Sequence, residues 1–267
     1  MTRGGHLAAD APLNITARQQ SSLRRWNIIA GFAHATQAVL ILVLSSDFSL
    51  PVTSTYILGP PGTTASETVT LFDSPIALGV ALFFALSAFF HFFVATIGFR
   101  RYIGGLSEQR NIARWVEYSI SSSIMIVLIL QITGITDAWA LLAVFGVNAS
   151  MILFGWLQEK YEVPGKGGWL PFIFGCIAGI VPWIIVVFQL IRPGATGQAE
   201  VPAFVWGIVI SLFIFFNIFA LNQWLQYKRV GRWSNYLYGE KWYIILSLVA
   251  KSLLAWQVFA GTLVPPA

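Results

Sequence analysis

Residues 248–263 read LVAKSLLAWQVFAGTL, a run with one lysine, Lys251, in an otherwise largely apolar stretch, and its reading decides the fold. Extended back to Lys241, the window is the length that crosses about 30 Å of hydrocarbon at about 1.5 Å per residue. Windows of the same kind recur at approximately 26–45, 76–98, 112–132, 138–158, 170–190 and 203–225. The sequence therefore predicts an all-α membrane protein, a seven-transmembrane-helix bundle. Composition agrees: of 267 residues, 57% are hydrophobic and 10% charged, where soluble domains average about one quarter charged. A soluble enzyme and a disordered chain are both excluded on that ground. A single cysteine, Cys176, excludes a disulfide scaffold and a thiolate metal cluster.

The net charge of +5 would suggest nucleic acid in a soluble chain. Here the basic residues sit between the apolar windows, so they read as topology signals and no nucleic-acid partner is expected. Fourteen of the sixteen Lys and Arg fall in segments that would share one face, Arg192 alone falls on the other, and Lys251 lies inside a span. The positive-inside rule then puts the N-terminus in the cytoplasm and the C-terminus outside, in a multi-pass cell-membrane protein. Residues 1–25 are read as a polar cytoplasmic segment and 26–263 as the bundle. Span 1 carries His34, Thr36 and Gln37 and no cleavage site, so it is a retained helix, not a signal peptide. The one long loop, 46–75, contains VTSTYIL and ETVTLF around GPPGTTAS, which predicts an extracellular β-hairpin that could meet a second subunit.

Ionisable groups at bilayer depth are costly, about 3 kcal/mol on insertion scales, and usually mark function. Lys251 lies about ten residues inside span 7. It is either a charged lysine paired inside the bundle or a desolvated neutral amine, the state that attacks an aldehyde to form a Schiff base. Ser247, one turn earlier, can hydrogen-bond its nitrogen. Glu117 in span 3 is the expected partner, since the lysine side chain leans toward its helix N-terminus; the alternative is a protonated acid near a helix end. His34 and His91 fall at similar depth and, with Glu117, could outline a water-holding pocket. A metal would need a third ligand, which Glu117 could supply.

Tyr118-Ser119-Ile120-Ser121-Ser122-Ser123 is rich in hydroxyls. Ser121 follows Glu117 by one turn and can share its face, whereas membrane serines more often bond backbone carbonyls. Asn148 and Met151 in span 4, Pro182 and Trp183 in span 5, and Phe216 and Asn217 in span 6 are mid-membrane candidates to line a cavity. Gly175 and Gly179 permit a close helix approach.

WVEYSISSSIMI at 115–126 and LVAKSLLAWQVFAGTL at 248–263, with the basic-charge asymmetry and the hairpin loop, resemble the heliorhodopsin family of retinal proteins across all seven spans. The resemblance implies that Lys251 carries all-trans retinal as a protonated Schiff base and that Glu117 is the counterion. It also implies a polar cavity at His34 and His91 and a retinal pocket at Asn148, Met151, Trp183, Phe216 and Ser247, with Ser121 beside the counterion. Members are homodimers in membrane lipid and mostly light sensors. The expectation is a sensory or regulatory photoreceptor, not an enzyme, that acts on an unidentified cytoplasmic partner. Ion-pumping relatives usually carry an acid where this chain has Ser247, and a second acid further along span 3, where Ile126, Val127 and Leu128 stand. A light-driven proton transporter or channel is the alternative, and a retinal-free membrane enzyme or scaffold the third.

Overall fold

Helix starts are set by polar side chains that take up the free N–H groups of the first turn. In the computed structural model, which describes residues 12–63, 66–196 and 201–265, Thr16 and Gln19 form a reciprocal capping box at the head of α1 (Ala17–Leu44). The helix thus begins at Ala17, well before the apolar window at 26, because capping and not hydropathy sets its first residue. Asn111, Asp137 and Asn235 each accept from a first-turn N–H at the heads of α4 (Ile112–Ile132), α5 (Ala138–Tyr161) and α8 (Tyr236–Val258). The remaining long helices are α2 (Ile76–Ala95), α6 (Leu170–Thr196) and α7 (Ala203–Tyr227). A π-helical turn, Phe259–Leu263, continues α8. Among the described residues, seven helices are long and apolar enough to cross a membrane, and these seven match the predicted spans.

An eighth helix, α3 (Phe99–Ser107), was not expected. Its window carries Arg100 and Arg101, so hydropathy passes over it, yet Tyr102 and Leu106 on one face are buried against Ile15, Leu23, Tyr236 and Leu237. The hairpin is present where the alternation placed it: β1 (Ser49–Ile57) pairs antiparallel with β2 (Ser66–Pro75), with a bulge between Val52 and Thr53. It is tied to the head of α5 by Thr53 N–H donating to the Thr136 carbonyl and by Trp139 Nε1 donating to Ser54 Oγ, both at 2.8 Å.

Each membrane helix packs on the next along the chain, and α1 closes the ring against α8; contact between α6 and α7 is sparse. The interior is divided by polarity. Toward the hairpin end, Phe83, Ile126, Ile129, Leu130, Leu254 and Val258 fill an apolar core. Toward the opposite end, the buried side chains include Asn27, His91, Asn111, Arg114, Glu159 and Glu240. Lys251 and Glu117 sit between the two halves, and this division places the site.

Candidate functional site

Lys251 and Ser247 are one helical turn apart on α8, and Glu117 occupies the second turn of α4. Their side chains converge: Lys251 Nζ donates to Glu117 Oε1 and to Ser247 Oγ, each at 2.9 Å, and Ser87 Oγ on α2 donates to the same Glu117 oxygen at 2.6 Å. Lys251 is 3% exposed and Glu117 4%, so both charges are removed from solvent. Desolvating such a pair is costly, and removing one partner of a buried ion pair costs about 3–5 kcal/mol. The Tyr118 ring lies beneath the ammonium, 5.1 Å from Nζ to its centroid. Ser87 carried no sequence signal, since its relation to Glu117 exists only once α2 packs on α4.

From Lys251 an apolar passage runs into the bundle. A cavity of about 60 Å³ is bounded by Lys251, Ser247, Ser121, Tyr118 and Phe216. It shares Tyr118, Met151, Ile152, Phe216 and Phe219 with a second cavity of about 390 Å³ that reaches Gly179, Trp183 and Phe213. Gly179 keeps this space open, because a Cβ there would stand 2.5 Å from Met151 Sδ. Trp183 packs edge-on against Phe213 and Phe216. Ser121 Oγ is buried on the passage wall with no hydrogen-bond partner.

The other expected residues divide. Met151, Trp183, Phe216 and Asn217 line the passage. Asn148 does not border it; its Nδ2 donates to Ser122 Oγ at 2.9 Å and Ser123 Oγ at 3.1 Å, pinning α5 to α4. Ser119, Ser122 and Ser123 bond backbone carbonyls of their own helix. His34 and His91 stack with ring centroids 5.4 Å apart. His91 Nδ1 pairs with Asn27 Oδ1 at 2.8 Å and borders a small cavity of about 40 Å³ that Glu117 also lines. His34 is fully buried with both ring nitrogens unpartnered and does not border that cavity. Among the described residues no three His, Cys, Asp or Glu side chains come together as a metal site.

One reading of the charges needs correction. Arg114, counted above as a loop charge, lies inside α4 and is buried, forming ion pairs with Glu159 and Glu240. The described residues thus hold a second buried ionic group beside the Lys251–Glu117 pair, nearer the helix ends. The cluster is dense: Trp115 Nε1 and the Asn111 backbone N–H donate to Glu159 Oε2 at 2.6 and 3.0 Å, and Asn111 Nδ2 donates to Glu240 Oε1 at 2.7 Å. The Arg114 guanidinium stacks 3.9 Å over the Tyr243 ring. The hydroxyl of Tyr102, on α3 outside the spans, lies 3.2 Å from Glu240 Oε1. Burial, and after it the neighbouring Glu240, push the Tyr102 phenol well above its usual range, so it stays an O–H group.

A buried lysine–carboxylate pair at the closed end of an apolar passage in a seven-helix membrane bundle defines a protein of the rhodopsin class. The chain belongs to the heliorhodopsin family, whose family model matches residues 23–263. No curated protein matches the chain. Family membership implies a retinal-binding photoreceptor, and the residues present fit that cofactor. An amine that can bond an aldehyde stands at one end, and the larger cavity falls within the roughly 300–1,000 Å³ typical of ligand sites. The glycine at 179 leaves a recess that any side chain would fill.

Proposed function

We propose that Lys251 holds all-trans retinal as a protonated Schiff base, with Glu117 as its counterion, in a light-sensing photoreceptor that works without net ion pumping. The observation that carries this reading is the 2.9 Å contact of Lys251 Nζ with Glu117 Oε1 at the inner end of the passage. Retinal, when bound, supplies the absorption of visible light and a double bond that light isomerises. The chain's own residues do the rest. Lys251 fixes one end at a defined depth; Glu117 holds a compensating negative charge, oriented by Ser87; Ser247 keeps the nitrogen directed along α8. Tyr118, Met151, Trp183 and Phe216 exclude water from the passage, and in that low-dielectric setting the Glu117 charge acts at close range.

The absence of pumping is supported by where acids lie. The buried carboxylates among the described residues, Glu117, Glu159 and Glu240, all stand on the side of Lys251 away from the hairpin. Past Lys251, toward the hairpin, the helices meet through apolar side chains such as Ile126, Leu130 and Leu254. A proton leaving the nitrogen thus has acceptors on one side only. Protein made with retinal should show a visible band and a light-driven spectral cycle, while illuminated cells show no sustained pH change. A pH change abolished by a protonophore would select transport instead, and absence of any visible band would remove the retinal reading.

The proposal includes an orientation. With Arg114 buried, twelve basic residues among the described ones remain at the end opposite the hairpin, which supports a cytoplasmic N-terminus. Labelling of a cysteine introduced at Ser21 from outside intact cells would contradict it. Exposed apolar side chains on the hairpin, among them Tyr56, Ile57 and Phe72, support a homodimer, and cross-linking in native membranes tests it.

A further inference from the structure

The Arg114 cluster contains two carboxylates and one guanidinium, all at most 6% exposed, so one negative charge is left over if both acids are ionised. An uncompensated charge at that burial is costly enough that such groups take up a proton or a counter-ion. The groups around the two acids are Arg114 and Trp115 from α4, Asn111 from its N-cap, Tyr102 from α3 and Tyr236 from α8, with Tyr243 of α8 against the guanidinium. Among these residues no second cation is present.

Hydrogen-bond polarity says which acid takes the proton. Glu159 receives the guanidinium, the Trp115 indole N–H and the Asn111 backbone N–H, three groups that can only donate, and Tyr236 OH lies 3.1 Å from its Oε1. A proton on Oε2 of Glu159 would point at a donor, and one on Oε1, though the Tyr236 hydroxyl could accept it, would displace the guanidinium contact and have no opening onto the cavity that Glu240 and Tyr102 line. Glu240 differs: its Oε2 faces the guanidinium, while Oε1 faces Asn111 Nδ2 and the hydroxyl of Tyr102. A hydroxyl can reverse its role. The Tyr102 oxygen can accept from a Glu240 O–H while Asn27 Nδ2, at 3.3 Å, donates to it as well. Its own hydrogen is then free to point into the cavity to which Asn27, His91, Tyr102, Glu117 and Glu240 all contribute. That cavity, about 40 Å³, has room for water, which needs about 10–15 Å³ per molecule on this measure.

We propose that Glu240 is a proton-storage site: it holds the proton that neutralises the Arg114–Glu159–Glu240 cluster, and it opens through Tyr102 and Asn27 onto the cavity shared with His91 and Glu117. Glu240 is the one buried acid of the cluster whose partners allow both a proton to be held and a path for it to leave. The site is a property of the folded chain and does not depend on the retinal reading, so it can be tested before any chromophore is added.

The experiment is infrared spectroscopy of the purified full-length protein in lipid at pH 7, without and then with retinal. Exposed Asp and Glu are ionised there, with ordinary values of about 4, so a C=O stretch of a protonated carboxylic acid reports a buried acid. The expected result is one such band that moves down on exchange into D2O, persists in Glu117→Gln and vanishes in Glu240→Gln. Tyr102→Phe and Tyr236→Phe locate the proton without removing a charge. Tyr102→Phe takes away the acceptor of the Glu240 O–H, so the band should move to higher frequency, while Tyr236→Phe leaves it in place. Glu159→Gln should also abolish the band, since Arg114 then needs Glu240 as its anion. No carboxylic-acid band in the wild type, a band lost in Glu117→Gln, or a band that answers to Tyr236→Phe and not to Tyr102→Phe would each overturn the assignment.

Discussion

Replacing Glu117 by Gln keeps the shape of the proposed counterion and removes its charge. Lys251 Nζ lies 2.9 Å from Glu117 Oε1, and at an effective dielectric constant of about 20 a unit pair at that distance interacts by about 6 kcal/mol. In the proposed pigment the same nitrogen would carry the positive charge in the dark. Excitation moves part of that charge away from the nitrogen along the polyene, so Glu117 stabilises the ground state more than the excited state. Glu117→Gln should therefore narrow the optical gap by a fraction of that 6 kcal/mol, a shift to the red. The assay is the absorption maximum of wild type and variant, recorded at low pH so that the nitrogen keeps its proton. His34→Ala and His91→Ala in the same series should move the maximum less, because neither ring contacts Nζ. An unchanged maximum in Glu117→Gln would refute the reasoning and require another counter-charge, with Glu159 and Glu240 as the remaining buried acids to test.

Arg114→Leu leaves Glu159 and Glu240 without their shared cation and should destabilise the bundle by about 3–5 kcal/mol, read as earlier thermal unfolding in detergent. Adding Glu159→Gln and Glu240→Gln should recover part of that loss; equal unfolding of wild type and Arg114→Leu would mean the cluster is not stabilising. Gly179→Leu should fill the recess beside Met151 and reduce pigment formation with the helical circular dichroism retained, and Met151→Ala added to it should restore part of the colour. Full pigment yield in Gly179→Leu would show that the larger cavity is not used.

Hydropathy made the seven spans legible, since crossing a bilayer demands long apolar windows. The alternating, β-branched runs around GPPGTTAS did the same for the hairpin. Lys251 and Glu117 stood out because ionisable groups at that depth are rare, and the structure brings them into contact. The Arg114 cluster was not read for the converse reason: Arg114, Glu159 and Glu240 lie near window ends, where charge is ordinary, and their pairing joins residues 45 and 126 positions apart. A helical-face argument could have found half of it. Glu240, Ser247 and Lys251 follow one stripe of α8, and Arg114, Glu117 and Ser121 one stripe of α4, so each charge of the visible pair points along its helix to a member of the hidden cluster. Asn148, an apparent pocket residue by depth, faces the α4 serines instead; depth alone does not give a side chain's azimuth. The early start of α1 was legible in Thr16-x-x-Gln19, a capping signal that hydropathy windows ignore.

Attachment at Lys251 is the central claim, and peptide mapping tests it most directly. The protein is expressed with retinal, the chromophore is fixed to its amine by borohydride in the light, and the digested peptides are weighed by mass spectrometry. The account predicts the added retinyl mass on the peptide that contains Lys251, and a colourless protein when Lys251→Ala is made in the same cells. Retinyl mass on Lys241, about 15 Å away along the helix, or a coloured Lys251→Ala protein, would contradict it.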